Sequence, residues 1–162
     1  MKINFDIRGN LKPYERIKMN LEDFKENFVT SFGEDSTRHL IFETYEKFIQ
    51  NFNEKISGDF RHWINGSFVS NKKNPKDIDF VNLVDYQIVE TKEVLIKREF
   101  IKNAISKNQL LDAYLLILYP KSHKLRGWTN SDLLYWNDWF TNSKMNKQRK
   151  RSPKGYIEIN FG

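Results

Sequence analysis

Cysteine is absent from this chain of 162 residues, which excludes disulfides and thiolate metal sites. Histidine is scarce. Three occur, His39, His62 and His123, scattered without ligand-like spacing, so no zinc centre is expected, and His62 and His123 read as structural or surface residues. No run of apolar residues approaches the length needed to cross a bilayer, and the opening MKINFDIRGN carries charge where a secretory leader would be apolar. The expectation is a soluble, cytosolic protein. With four prolines, seven glycines, no repeat and no low-complexity tract, nothing marks a linker, and residues 1–162 read as a single domain.

What is present is core material: 39% hydrophobic and 15% aromatic residues, enough to argue against disorder. The net charge of +6 is local. Between Asn142 and Lys154 stand Lys144, Lys147, Arg149, Lys150, Arg151 and Lys154 with no acid, leaving the remaining 21 cations balanced by 21 anions. Such a segment attracts phosphate or nucleic acid, or it is a solvated loop.

Asn20 reads as the cap of a helix through Leu21, Phe24, Phe28 and Phe32 to Gly33. Ser36 reads as the cap of a second, whose stripe runs Leu40, Ile41, Tyr45, Phe48, Ile49, Phe52 and Ile56. Strands are expected over Phe60 to Ile64 and Ile78 to Val84, with an Asn, Lys and Pro-rich loop between them. A helix is expected over Thr91 to Lys107, a central strand over Leu110 to Tyr119, a short aromatic helix around Ser131 to Phe140, and a last strand over Gly155 to Phe161 with one buried face. Helices and strands alternate, giving an α/β layer fold.

Within this frame Asp77 and Asp79 are two apart at the start of a strand, so both project to one face while Ile78 and Phe80 take the other. Two neighbouring anions repel unless a cation lies between them. Carboxylate oxygens suit Mg²⁺, which commonly completes its shell with water and substrate phosphate. By itself an Asp-x-Asp on an exposed strand is a solvated pair. Upstream, however, Gly66 and Ser67 offer what a triphosphate needs: a residue without a side chain, which lets backbone N–H groups come close, and a hydroxyl beside it. Asp112 interrupts the apolar LLDAYLLILY and asks for a charge partner or a metal, unless it sits at an edge facing water. If its strand lies beside that of Asp77 and Asp79, three carboxylates converge.

Gly66-Ser67, the loop, Asp77-Ile78-Asp79 and the later Asp112 together resemble the nucleotidyltransferase superfamily typified by DNA polymerase beta. More closely, GSFVSNKKNPKDIDF with the upstream GNLKPYE and HWIN, and the downstream LDAY, YW and KGYIEI, resembles a family of small prokaryotic nucleotidyltransferase-like proteins. The resemblance covers most of the chain. It implies an α+β fold with a mixed sheet flanked by helices, two Mg²⁺ (or Mn²⁺) ions, and transfer of a nucleoside monophosphate from a triphosphate such as ATP to a hydroxyl on a protein or RNA acceptor. It further implies that Gly66 and Ser67 hold the β- and γ-phosphates and that Lys72 neutralises them, with Lys73 and Lys76 as lesser candidates. Asp77 and Asp79 would bind both metals. Asp112 would bind the metal that activates the attacking hydroxyl and is the natural acceptor of its proton. By analogy, a toxin–antitoxin or defence context follows.

Two rivals stand beside this reading. One is a catalytically idle module of the same fold that binds nucleotide, RNA or a protein; the other is plain nucleic-acid binding through the basic segment. The aromatics Tyr114, Tyr119, Trp128, Tyr135, Trp136 and Trp139 include candidates for a base-stacking platform, though residues at such spacing are usually core. Glu158 reads as an exposed partner for nearby cations.

Overall fold

The computed structural model describes residues 1–101 and 110–162. Its centre is a five-stranded mixed sheet built from β3 (Arg16–Lys18), β4 (Arg61–Asn65), β5 (Ile78–Asp85), β6 (Leu111–Leu118) and β7 (Tyr156–Asn160), in the order β3-β7-β4-β5-β6. β3 runs parallel to β7 and β5 parallel to β6, whereas β4 is antiparallel to both of its neighbours. A small hairpin of β1 (Asn4–Phe5) and β2 (Leu11–Lys12) precedes it. The three short N-terminal strands carry two or three residues each, too few for a period to show in the sequence.

Among the described residues four α-helices cover the sheet: α1 (Leu21–Phe28), α2 (Arg38–Lys55), α3 (Tyr86–Glu99) and α4 (Arg126–Thr141). Asn20 caps α1 as expected, its side chain accepting from the Asp23 amide at 2.7 Å. The helix is shorter than expected. It breaks at Val29 into a single 3₁₀ turn, Thr30–Phe32, closed by Gly33 at φ 84°, and this turn brings the Phe32 ring to 3.8 Å from the guanidinium of Arg38. Ser36 does serve the start of α2: its hydroxyl accepts from the Arg38 amide at 3.1 Å and donates to the Lys73 carbonyl at 2.6 Å. Of the anticipated α2 stripe, Ile41, Tyr45, Phe48 and Phe52 are buried, but Leu40 is exposed, because it lies one residue ahead of that face. α3 begins five residues before the expected start, capped by Asp85, which accepts from the Gln87 amide. The expected continuation through Ala104 and Ile105 to Lys107 lies outside the described residues.

β6 lies at the edge of the sheet among the described residues, not at its centre; it reads as apolar on both faces because helices pack on both. β7 is likewise buried on both faces: Tyr156 and Glu158 are buried along with Ile157 and Ile159. Glu158 is therefore not an exposed residue. It accepts from Trp63 Nε1 at 2.6 Å and lies 3.5 to 3.9 Å from Arg16, Arg61 and Lys18, which neutralise it.

The main core, between the sheet and α1 to α3, is aromatic. Phe24, Phe42, Tyr45, Phe48, Phe52, Phe68 and Phe80 pack there with Ile64, Ile78 and Val84. On the other face Trp63, Val81, Leu83, Leu116 and Tyr156 pack under Phe140 of α4. Burial of these rings supplies most of the folding drive.

His62 sits inside the main core as a satisfied structural residue. Asn82 donates its amide to the Tyr114 carbonyl at 2.8 Å, so its Oδ1 faces the imidazole and accepts from Nε2–H at 2.8 Å; Nδ1 then accepts from the Tyr45 hydroxyl at 2.7 Å. Burial pushes its pKa down to about 3, against the pull of the Asn82 bond. An unfolded chain takes up this proton near pH 6.5, whereas the folded one resists it down to about pH 3, so stability falls as pH falls through that window. At pH 4 the loss should reach roughly 3 kcal/mol relative to pH 7. Urea unfolding of wild type and His62→Gln at both pH values reads this directly: the variant should lose less by that amount, and equal losses would refute the assignment.

Candidate functional site: an acidic cleft under a cationic hairpin

At one end of the sheet the register sets Asp79 of β5 opposite Asp112 of β6 on one side and Asn65 of β4 on the other. Alternation along each strand puts these side chains on the α4 face, in line with Trp63, Val81, Leu83 and Leu116. Asp77, one residue before β5, opens onto the same cavity, which has a volume of about 590 Å³ and also takes in Gly66, Ser67 and Lys72. A cavity of that size suits a nucleotide-sized ligand. All six residues singled out in the sequence thus meet around one space.

The carboxylates are close enough to act on one another. Burial, then the charges of Asp77 and Asp112, push the Asp79 carboxyl up to about 7; a hydrogen bond with Asp112 adds to the rise, and Lys144 opposes it. Asp112 is further held by the hydroxyl of Tyr114, which donates to its Oδ2 at 3.0 Å.

Gly66 makes this approach possible. Its φ of 79° lies in the left-handed region, and a Cβ there would stand 2.1 Å from Asp79 Oδ2. The glycine therefore makes room first for a carboxylate of the protein. After it, Ser67–Val69 form a 3₁₀ turn that buries Phe68 and Val69.

Arg38, fully buried at the start of α2, organises that turn and the strap beyond it. Its guanidinium donates to the carbonyls of Phe28, Ser67, Phe68, Ser70 and Lys72, and lies over the Phe68 ring at 4.9 Å. No carboxylate pairs with it among the described residues. Burial lowers its pKa to about 10, which leaves it charged at neutral pH. Thr37 adds two further ties, its amide to Asn74 Oδ1 at 3.1 Å and its hydroxyl to the Pro75 carbonyl at 2.7 Å. The hairpin turn before β2 closes the strap from outside, with the Asn71 amide on the Gly9 carbonyl at 3.1 Å and Arg8 reaching the cavity.

Residues 142–154 fold into a second hairpin. Asn142 bridges Pro153, Ser143 N donates to Ser152 O at 2.7 Å, and Asn146 Oδ1 accepts from the amides of Gln148 and Lys150. It delivers Lys144, Arg151 and Lys154 to the same cavity as the aspartates, with Lys144 and Lys154 near enough to Asp79 for the charges to act on one another. Burial lowers the Lys154 ammonium to about 8, against the stabilising charge of Asp79. Lys73 turns away to Asp35 at 2.6 Å, and Lys76 is not among the lining residues. Of the aromatics, Tyr114, Trp136 and Trp139 line the cavity, whereas Tyr119 is buried against His123.

Asn65, Arg38, Arg8 and the individual roles of Lys144, Arg151 and Lys154 were not read from the sequence. Only Asn65 left a signal, standing two residues after Trp63 at the end of a strand. Its buried Oδ1 has no hydrogen-bond partner among the described residues. An orphaned amide oxygen beside three carboxylates gives an all-oxygen donor set, which fits Mg²⁺ or Mn²⁺ rather than a soft metal. Among the described residues no three acidic or imidazole side chains stand so that they could hold a metal ion as placed. The described residues thus form a mixed α+β fold with an acid-rich, cation-lined cleft at one end of its larger sheet.

The chain belongs to DUF6932, a family of unknown function, which it matches over residues 3–160. No curated protein matches the chain, and no solved structure does. Among the described residues no helix is long and apolar enough to cross a membrane.

Proposed function

We propose that the cleft transfers a nucleoside monophosphate from a nucleoside triphosphate to a hydroxyl of an RNA or protein acceptor. The observation that carries this is the meeting of Asp77, Asp79 and Asp112 with Gly66, Ser67 and Lys72 around one cavity that Lys144, Arg151 and Lys154 also line. Mg²⁺ or Mn²⁺, held by the three aspartates with Asn65 in reach, would neutralise phosphate charge and polarise the reacting oxygens. Lys72, Lys144 and Lys154 attract the triphosphate, and the 3₁₀ turn after Gly66 offers amides and the Ser67 hydroxyl to its outer phosphates. The acceptor oxygen bonds the α-phosphorus, the bond from that phosphorus to the bridging oxygen breaks, and pyrophosphate leaves. Asp112, oriented by Tyr114, takes the acceptor's proton.

The resemblance of the motifs to polymerase beta-like enzymes supports the same reading, as does the oxygen-only donor set. A toxin–antitoxin or defence setting remains an analogy attached to it. Incubation with α-labelled triphosphates, Mg²⁺ or Mn²⁺, and candidate RNAs and proteins tests it. Covalent label on the acceptor that is lost in Asp77→Ala is the expected result. Saturable triphosphate binding without transfer to any acceptor would instead favour an idle binding module.

A further inference from the structure

We propose that the exposed aromatic face of α4 and the cationic hairpin 142–154 form a track that binds a single-stranded nucleic-acid end and leads it into the acidic cleft. As the identity of the acceptor, this rests on the transfer reading above; as a binding surface, it stands on its own observations.

Trp128, Tyr135 and Trp139 are 63%, 58% and 43% exposed, among the largest apolar surfaces the chain leaves uncovered. Their spacing of seven and four places them along one face of α4, over about 16 Å of helix. A soluble helix that only covered a sheet would turn these rings inward, as it does with Phe140. The Tyr135 and Trp139 rings lie within 8° of parallel with centroids 6.5 Å apart, and the Arg151 guanidinium stands 5.7 Å over the Trp139 ring. Flat rings with a guanidinium beside them are what nucleobases stack on, whatever their sequence.

Charge selects the occupant. The adjoining hairpin holds six cations and no acid in a chain otherwise balanced, a match for a polyanion rather than for the apolar face of another protein. Asp138, 3.7 Å from Arg151, fixes that guanidinium at the rim without cancelling the excess. The two halves are continuous with the site, because Trp139, Lys144, Arg151 and Lys154 all line the acidic cavity. A single strand is required, since in a duplex each base pair stacks on its neighbours and so hides the base faces that aromatic rings take.

The test is fluorescence polarisation of the full chain with an end-labelled single strand of about twelve nucleotides, as RNA and as DNA, in EDTA without triphosphate. Affinity should fall on the order of a hundredfold between 50 and 200 mM salt, as about five neutralised phosphates require. Tyr135→Ala with Trp139→Ala should weaken binding roughly tenfold or more at an unchanged melting temperature. Binding of either strand supports the track, and the tighter one names the sugar. An annealed duplex that binds as well as the single strand, or an aromatic double variant as tight as wild type, overturns it. The two readings fail separately: strand binding without transfer rejects transfer alone, and transfer to a protein with no strand binding rejects the track alone.

Discussion

Asp79→Asn should lower the proposed nucleotidyl transfer at least about a thousandfold, since it removes the central anion of the cleft at which, on that reading, phosphate charge would be handled. The same substitution should stabilise the fold. Asp79 is a partly buried carboxylate wedged beside Asp77 and Asp112, and its charged form is disfavoured by burial and by both neighbours. An amide of the same shape removes that repulsion and can donate to Asp112. A gain of about 1–2 kcal/mol, or roughly 3–6 °C in melting temperature, is expected. Opposite signs in activity and stability mark a residue kept for chemistry. A variant that melts lower and still transfers would identify Asp79 as structural and remove the basis of the proposed reaction.

Arg38→Met should be among the most destabilising single changes available, at about 3–5 kcal/mol by urea unfolding. The methionine replaces stem and volume but no donor, so the carbonyls of Phe28, Ser67, Phe68, Ser70 and Lys72 lose the partner they share. Arg38→Lys keeps the charge, but an ammonium cannot span the same fork of acceptors and should recover only part of the loss. Amide exchange should speed up in 67–72 before it does in β4 or β5, because the guanidinium ties that strap to α1 and α2. Uniform acceleration would mean that Arg38 serves the whole core and not the strap.

How far the site could be read from the chain differs from residue to residue. Asp77 and Asp79 were legible because strand alternation is a local rule, and two carboxylates two apart must share a face. Gly66 and Ser67 were legible as a turn close to the acids, but the steric reason for the glycine was not. The atom it must avoid, Asp79 Oδ2, is thirteen positions away in the chain. Asp112 required the pairing of β5 with β6, which only the folded register supplies. Arg38 gave no local sign at all. A buried arginine on a helix looks in sequence like any surface cation, and its acceptors come from two segments remote from it in the chain, the end of α1 and the strap 67–72.

The same distinction holds for β6 and for Glu158. β6 was expected at the centre because an apolar run reports burial on two faces and says nothing about the number of neighbours. Glu158 was placed outside because alternation predicts one wet face, and only the packing of α4, Trp63 and three cations covers the other.

By itself the sequence determined the periods: which residues face together, where helices are capped, and that an excess of positive charge is confined to thirteen positions. The tertiary structure alone decided that Lys144, Arg151 and Lys154 of that segment reach the cavity of the aspartates, and that an arginine from α2 holds the strap between Gly66 and Asp77. Periodicity acts over a few residues, whereas charge pairing and carbonyl capture depend on distance in space, which is fixed only once the sheet order is.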